Sequence, residues 1–243
     1  MPLPTLLKAC KSLNANPLSE PLARLELTLP DDQIDLLQRY REQLTVWNER
    51  MNLTRHAEVE QFVTRDIWDS WQLAQLLSPQ ERVLDLGTGG GVPGVILAII
   101  RPDLKVAVCE SIGKKARAVE SMVKELSLPV AVHAQRAQQL LPHTKFDTIV
   151  ARAVGPLWKI LSWVQPYWGR FDRLLLIKGP RWIEERGEAR HRGYMQTLAL
   201  RKAASYETPG HLGESVVLSI KADANDDQAD YDGPYDGGKV TSS

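Results

Sequence analysis

The run Asp85-Leu86-Gly87-Thr88-Gly89-Gly90-Gly91 joins a carboxylate to closely spaced glycines at the end of an apolar stretch, a combination suited to holding a nucleoside-containing cofactor. Gly87, Gly89 and Gly91 fall where a strand must turn sharply into a helix. Glycine takes positive φ there and leaves no Cβ in the way of a ligand. A dinucleotide fold sets its pyrophosphate on Gly-x-Gly-x-x-Gly. Counted from Gly87, that pattern needs glycine where Val92 stands; counted from Gly89, it is met at Gly94. Glycine spacing alone therefore leaves nicotinamide dinucleotide and S-adenosylmethionine both open. Asp85 favours the second, because a carboxylate beside the loop attracts a cationic methionine moiety more than it does two phosphates. A glycine-rich turn that binds nothing is the bland alternative.

Glu110 closes the next apolar run about twenty residues after the glycines, where an acidic side chain accepts hydrogen bonds from ribose hydroxyls in folds of this kind. Arg136, Ala137 and Gln138 follow a third short run, at the loop expected to face adenine. Arg152 follows a fourth, in Ala151-Arg152-Ala153-Val154-Gly155-Pro156, and its planar donors suit a phosphate or a base edge. Lys178-Gly179-Pro180 ends a fifth in the same manner. Lys114, Lys115 and Arg117 open a helix, where cations oppose the helix dipole and so are placed for something other than stability. A polyanion tracking this rim is the economical partner. Solvated surface charge and salt bridges are the alternative reading for each cation.

These residues need a scaffold, and the chain provides its pattern. From Arg82 onward, short runs rich in Val, Ile and Leu (83–86, 106–110, 130–134, 148–151, 174–178, 216–220) alternate with helical stretches (93–100, 114–126, 156–164, 181–198). That rhythm predicts an α/β fold, a Rossmann-like parallel sheet with helices on both faces. Upstream, Ile34, Leu37, Tyr40, Leu44 and Trp47 recur at helical steps over 31–48. Phe62, Ile67, Trp71, Ala74 and Leu77 suggest a second helix, and 17–30 reads as an extended connector. The division expected is an N-terminal helical extension over 1–78 packed on a cofactor-binding domain over 79–222, then an acidic tail over 223–243. That tail carries six Asp between Asp223 and Asp236 and almost no branched apolar residues, so it is expected to be disordered.

Composition narrows the class. The chain has 243 residues, 43% hydrophobic, with 30 basic and 30 acidic side chains. Net neutrality argues against coating nucleic acid through bulk charge, although the acidic tail leaves the remainder net basic. No segment approaches the ~20 apolar residues of a membrane helix, and the first residues lack the pattern of a secretory signal. A cytoplasmic protein with no membrane association is expected. Cys10 and Cys109 are far apart and no Cys/His cluster has zinc spacing, so reduced thiols and no metal are expected.

Trp47-Asn48-Glu49-Arg50-Met51-Asn52-Leu53-Thr54, then Arg65-Asp66-Ile67-Trp68-Asp69-Ser70, then the glycine loop running into Val92-Pro93-Gly94, together resemble the glucose-inhibited division protein B family. Glu110-Ser111-Ile112-Gly113-Lys114, Gln135-Arg136, Ala151-Arg152-Ala153 and Leu176-Ile177-Lys178-Gly179 continue the likeness in order, from about 33 to 221. The resemblance implies a class I methyltransferase fold and transfer of a methyl group from S-adenosylmethionine to guanine N7 in bacterial small-subunit ribosomal RNA. It places Gly87, Val92, Ala137, Gln138 and Arg152 at cofactor-contact positions, with Arg117, Arg136 and Lys178 facing RNA or supporting the pocket. The implied substrate is the RNA or an assembling 30S particle, with no obligate protein partner. Three positions depart from the family pattern: Asp66 for histidine, Gln138 for glutamate, and Ser215 for an arginine that Lys202 or His211 would have to replace. Since N7 carries a free lone pair, no general base is expected. Trp68, Trp71 and Trp158 are read as core rather than as base-stacking platforms. Two rivals remain at this level, a nicotinamide-dependent oxidoreductase and a non-catalytic RNA-binding protein on the same fold.

Overall fold

The central strands are buried on both sides, and successive side chains along them enter two different cores. The computed structural model describes residues 16–55, 58–210 and 213–223. Its strands are β1 (Arg82–Leu86), β2 (Lys105–Cys109), β3 (Ala131–His133), β4 (Thr148–Arg152), β5 (Arg173–Lys178), β6 (Leu198–Glu207) and β7 (Glu214–Ala222). They form one sheet in the order β3-β2-β1-β4-β5-β7-β6. Val83, Val106, Val108, Val150, Leu175 and Ile177 enter one core. Their neighbours Leu84, Ala107, Ile149, Ala151, Leu174 and Leu176 enter the other, as the two-residue period of a strand requires.

The helices are α1 (Ser19–Arg24), α2 (Asp31–Asn48), α3 (Val59–Gln61), α4 (Trp68–Ala74), α5 (Gly94–Ile100), α6 (Gly113–Glu125), α7 (Ala137–Leu140), α8 (Leu157–Val164) and α9 (Trp182–His191). Buried residues of α2, α4, α5 and α6 share the first core, and those of α7, α8 and α9 the second. In α2 the buried side chains are Leu37, Tyr40 and Leu44, spaced three and four apart on one stripe. Between α3 and α4 the chain makes a π-helical turn, Phe62–Ile67, in which five residues, Asp66 among them, are buried. Such turns displace side chains from the α-helical register and recur at functional sites.

β1 to β5 run parallel. The sheet is mixed rather than wholly parallel, because β7 lies antiparallel to β5 and β6 antiparallel to β7. Expected and observed elements part in four places, the first being the loop expected at 136–138, where Ala137 instead opens the short helix α7. The 17–30 segment is not all extended: it contains α1, whose Pro21 lies in the first turn, where its missing N–H costs nothing, and whose Leu22 is buried. The helix expected over 181–198 ends at His191. Gly193 at φ +81 stops it, with its N–H on the Arg190 carbonyl and the Tyr194 N–H on that of Ala189. β6 begins at Leu198 and was not anticipated, because as an edge strand it buries few side chains and carries Arg201 and Lys202 outward. The acidic tail beyond residue 223, like Cys10 and His211, lies outside the described residues.

Strand order reverses between β1 and β4, the switch point at which loops from the carboxyl ends diverge and leave a crevice. At the opposite ends of these strands, buried Glu81 accepts hydrogen bonds from Arg173 Nη2 (3.0 Å) and from the Thr148 hydroxyl. Arg173 also donates to the Leu76 carbonyl (2.8 Å), so the cluster ties β4 and β5 to the turn that follows α4. Replacing Glu81 by Ala strands a largely buried guanidinium. Glu81→Ala is expected to lower the unfolding free energy by about 3 kcal/mol in urea titration, with no change in the denaturant slope.

Candidate active site

The glycine loop is folded around Asp85. At the end of β1 this carboxylate is 1% exposed. Its Oδ2 accepts hydrogen bonds from the Thr88 hydroxyl and from the Gly94 N–H (2.8 Å), closing the loop onto the start of α5. Gly94 must be glycine: a Cβ there would lie 2.6 Å from Val108 Cγ1 and 2.9 Å from Asp85. The loop is also held from outside. Gly87 and Thr88 donate to the Cys109 carbonyl at 2.8 and 3.1 Å, Gly89 donates to Glu110 Oε2 at 3.1 Å, and the Tyr40 hydroxyl of α2 donates to the Gly90 carbonyl at 2.8 Å. Gly91, at φ +106, packs against that hydroxyl and Val95.

A cavity of about 650 Å³ opens at the carboxyl ends of the strands, within the range of pockets that hold a nucleoside-sized ligand. Gly87, Gly89, Val92, Glu110, Lys115, Arg136, Ala137, Gln138 and Arg152 line it, so nine of the residues singled out from sequence converge there. Asp85, Gly91, Lys114, Arg117 and Lys178 do not line it. Asp85 lies behind the loop, where its Oδ2 holds the Thr88 hydroxyl and the Gly94 N–H and shapes the turn. Gly91 faces α2. Arg117 is exposed on α6, away from the cavity. Lys178 is 8% exposed and donates to the Gly155 carbonyl (2.6 Å) and Glu185 Oε2 (2.7 Å). The expected rim cation is thus an internal tie that pins the loop between β4 and α8.

Arg152 also differs from a free clamp. Its Nη2 donates to Asp66 Oδ1 (2.6 Å) and its Nη1 to Asp69 Oδ2 (3.1 Å), while Tyr206 of β6 donates to the other oxygen of Asp69 (2.7 Å). Burial alone would lower the guanidinium's pKa, but the two carboxylates outweigh it and hold the charge in place. Burial, aided by Asp69, keeps the Tyr206 hydroxyl protonated as a donor. Asp66, one of the three departures, is therefore accounted for by its ion pair with Arg152. Ser215 lies against the Thr208 hydroxyl (3.0 Å), and Lys202 is 3.8 Å from Glu214.

Several lining residues were not singled out. Leu53 and Thr54 reach the cavity because both of their N–H groups bind Asn48 Oδ1 (2.8 and 2.9 Å), which curls the turn after α2 back over Gly90. Lys159 and Trp163, one turn apart on α8, form the wall near Gln138, with the ammonium 5.7 Å from the indole centroid. Their i, i+4 spacing just after a strand end was the available signal. Trp68, Trp71 and Trp158 are absent from the lining: Trp68 donates to the Glu207 carbonyl (3.0 Å), Trp71 packs on the first core, and Arg192 lies 4.1 Å over Trp158. Cys109 also lines the cavity, but burial, reinforced by the charges of Glu110 and Asp85, pushes its thiol up to about 12, so it is no nucleophile near neutral pH. Among the described residues no group of His, Cys, Asp or Glu is placed to hold a metal ion.

Burial raises Asp85 to about 6, although Thr88 and Gly94 favour the charged form. A carboxyl whose folded pKa is raised stabilises the fold fully below its unfolded value near 4 and loses that contribution as pH rises through 6. Asp85→Asn does not titrate. Its stability relative to the unmodified protein is expected to improve by roughly 2 kcal/mol between pH 4 and pH 7, measured by urea titration at each pH. Gly94→Ala, by contrast, is expected to destabilise at every pH by about 2 kcal/mol or more, because neither Val108 nor Asp85 has room to retreat.

Comparison with known proteins gives the family. A family described as rRNA small subunit methyltransferase G (GidB) matches residues 33–210. A protein of Rhodopirellula baltica named ribosomal RNA small subunit methyltransferase G is 55% identical over 170 residues, covering 70% of this chain and 74% of that protein. One of the same name from Mycobacterium marinum is 33% identical over 184 residues, covering 74% of this chain and 80% of the relative. Among solved structures, M. capricolum TrmK in complex with S-adenosyl-homocysteine aligns with TM-score 0.51 at 13% identity, covering 64% of this chain and 68% of that one. A mutant of MtNAS in complex with S-adenosylmethionine aligns at 0.53 and 16%, covering 79% and 72%. These distant structures share the fold, and the sequence relatives share more than that: the chain belongs to the rRNA small subunit methyltransferase G family.

Proposed function

We propose that this protein transfers a methyl group from S-adenosylmethionine to N7 of a guanine in small-subunit ribosomal RNA. The observation that carries the reading is the convergence of the glycine loop, Glu110 and the Ala137–Gln138 turn on one cavity at the switch point of a sheet, in a chain of this family.

The cavity fits the cofactor in shape and in chemistry. Gly87 and Gly89 present bare backbone at one end. Glu110 uses one lone pair on each oxygen to hold Gly89 and Ile112 (3.1 and 2.8 Å), and each oxygen retains another for a hydroxyl donor. Ala137 and Gln138, with the Trp163 face nearby, offer an apolar slot with polar edges for a base. A dinucleotide fits less well, because the Asp85 carboxyl, holding Thr88 and the Gly94 N–H at the head of α5, stands behind the turn where two phosphates would carry like charge. When bound, S-adenosylmethionine supplies an electrophilic methyl group on a sulfonium centre.

Guanine N7 has a lone pair in the base plane and no proton to lose, so the lining needs no general base. The work left to the protein is positional. It must seat the purine so that N7 stays unpaired and faces the cavity, which converts a bimolecular encounter into an aligned one. It must also keep water out, which Leu53 and Val92 on one side and Val154 on the other are placed to do. Arg136 and Lys115 at the cavity, with Lys159 on α8, provide cations for the flanking backbone. The target guanine is expected to be unpaired, because RNA sequence is read chiefly where bases are unstacked. Among the described residues no helix is long and apolar enough to cross a membrane, and the proposed site of action is the cytoplasm, where ribosomes assemble.

The direct test is methyl transfer from labelled S-adenosylmethionine to small-subunit RNA lacking the modification, supplied naked and as 30S particles, followed by mapping of the methylated nucleotide. Incorporation at a single guanine N7 is expected. Calorimetry that finds NAD binding and no binding of S-adenosyl-homocysteine would return the protein to the oxidoreductase reading. Binding of RNA and cofactor without incorporation would leave a non-catalytic RNA-binding protein. Arg136→Gln is expected to weaken RNA binding several-fold and to reduce the slope of log affinity against log salt by about 0.7 to 0.9, while leaving S-adenosyl-homocysteine affinity within about threefold.

A further inference from the structure

The free cations at the cavity are unevenly placed around it. Arg136 precedes α7 and Lys159 stands on α8, and both helices pack into the second core. Lys115 lies near the head of α6, past Glu110. The remaining wall is made by the glycine loop and by Leu53 and Thr54, which follow α2, a helix of the first core. That wall has no charged side chain in its lining, but two arginines of the same turn, Arg50 and Arg55, stand exposed beside it. The turn itself is a folded feature. Asn48 Oδ1 accepts the Leu53 and Thr54 N–H groups, and Gly90 is seated so closely that a Cβ there would lie 2.8 Å from Leu44 and 3.3 Å from Leu53. The Arg50 N–H is bound to the Trp47 carbonyl (3.1 Å), and its guanidinium lies 6.0 Å from the Trp47 ring centroid. A guanidinium laid on a ring keeps its in-plane N–H donors for another acceptor.

A base drawn into a cavity leaves its sugar–phosphate chain at the mouth, with one phosphate on each side of the nucleotide. Cations on the α7 and α8 side reach only one of the two. We infer that the turn 48–55 is the second lip of the RNA site, where Arg55, with Arg50 beside it, binds a backbone phosphate on the glycine-loop side of the target nucleotide. Arg136 and Lys159 then hold the chain on the opposite side. The occupant is a single-stranded stretch of RNA, and the inference rests on the RNA-methyltransferase reading given above. Local charge agrees with it. Residues 48–55 carry two arginines and one carboxylate, Glu49. Neither arginine is ion-paired among the described residues, to Glu49 or to Glu58 nearby. Elsewhere on the surface exposed arginines are paired, as Arg24 is with Glu20, Arg82 with Asp147 and Arg192 with Glu188. Two unpaired guanidiniums on a turn that is fixed to the cavity wall are placed to receive an anion from outside the chain.

Salt dependence counts phosphate contacts, and it can be read without turnover. The probe is small-subunit RNA lacking the modification, bound to the full chain over a series of salt concentrations. Arg55→Gln is expected to reduce the slope of log affinity against log salt by about 0.7, and Arg50→Gln together with Arg55→Gln by about 1.4. Thermal melting and S-adenosyl-homocysteine binding check that the turn and the cavity are intact in each variant. Should the double variant fail either check, Arg55→Gln alone decides, since Arg55 packs on no ring. Lys105→Gln serves as the control for general surface charge, because Lys105 is exposed at the start of β2, the end of the sheet away from the cavity. Its slope is expected to match that of the unmodified protein. An unchanged slope in Arg55→Gln would overturn the inference, as would an equal reduction in Lys105→Gln. Arg55→Lys keeps the charge and is expected to restore the slope. If the unmodified protein neither binds this RNA with a salt-dependent affinity nor methylates it, the RNA-methyltransferase reading fails; if it does both and the arginine variants keep its slope, only this inference fails.

Discussion

The hydrogen bond from the Gly94 N–H to buried Asp85 is the constraint on which the site depends. It draws the start of α5 back against the end of β1 and so sets how the intervening glycines turn. Thr88 binds the same oxygen, which leaves the loop little freedom. The arrangement carries an energetic cost, since a carboxyl with 1% exposure resists ionisation. That cost is offset by backbone and hydroxyl donors that would otherwise lack partners. A residue whose type suggests a ligand for a cationic cofactor is thus, in the fold, a tie that holds the shape of the glycine loop.

The segment before β1 completes the site. Tyr40 donates to the Gly90 carbonyl from α2, Leu53 and Thr54 line the cavity through the turn shaped by Asn48, and Asp66 and Asp69 hold Arg152. These contacts reach the glycine loop, the cavity mouth and the end of β4. The π-helical turn contributes to the last of them, because it lies where Asp66 must be buried facing β4 while Phe62 and Ile67 remain in the core. A buried ion-paired cluster adds little net stability, since desolvation consumes most of the Coulomb gain. Its value lies in orientation: a guanidinium held by two carboxylates cannot swing.

Much of the scaffold was legible in the sequence. The short apolar runs of β1, β2, β4 and β5 and the three-and-four spacing of Leu37, Tyr40 and Leu44 are local signals of burial, and the elements lie within a residue or two of where those signals put them. The edge strand β6 left no such trace, because a strand that buries few side chains has no apolar period to read. The end of α9 was missed for a related reason: the stop signal is a single glycine, Gly193, whose φ of +81 only the folded chain reveals.

By itself the sequence determined which residues stand at the carboxyl ends of the strands, since strand order in the chain and the glycine loop are local features. It determined the family too, because several motifs in fixed order are hard to match by chance. Tertiary structure decided which of those residues face the cavity. Asp85, Lys178 and Arg152 are all charged residues at strand ends, and a linear reading treats them alike. Their partners, Gly94 for the first, Glu185 for the second, and Asp66 and Asp69 for the third, come from elements brought together only by the fold. A charge's function depends on what neutralises it, and that is a property of three-dimensional neighbours, not of spacing along the chain.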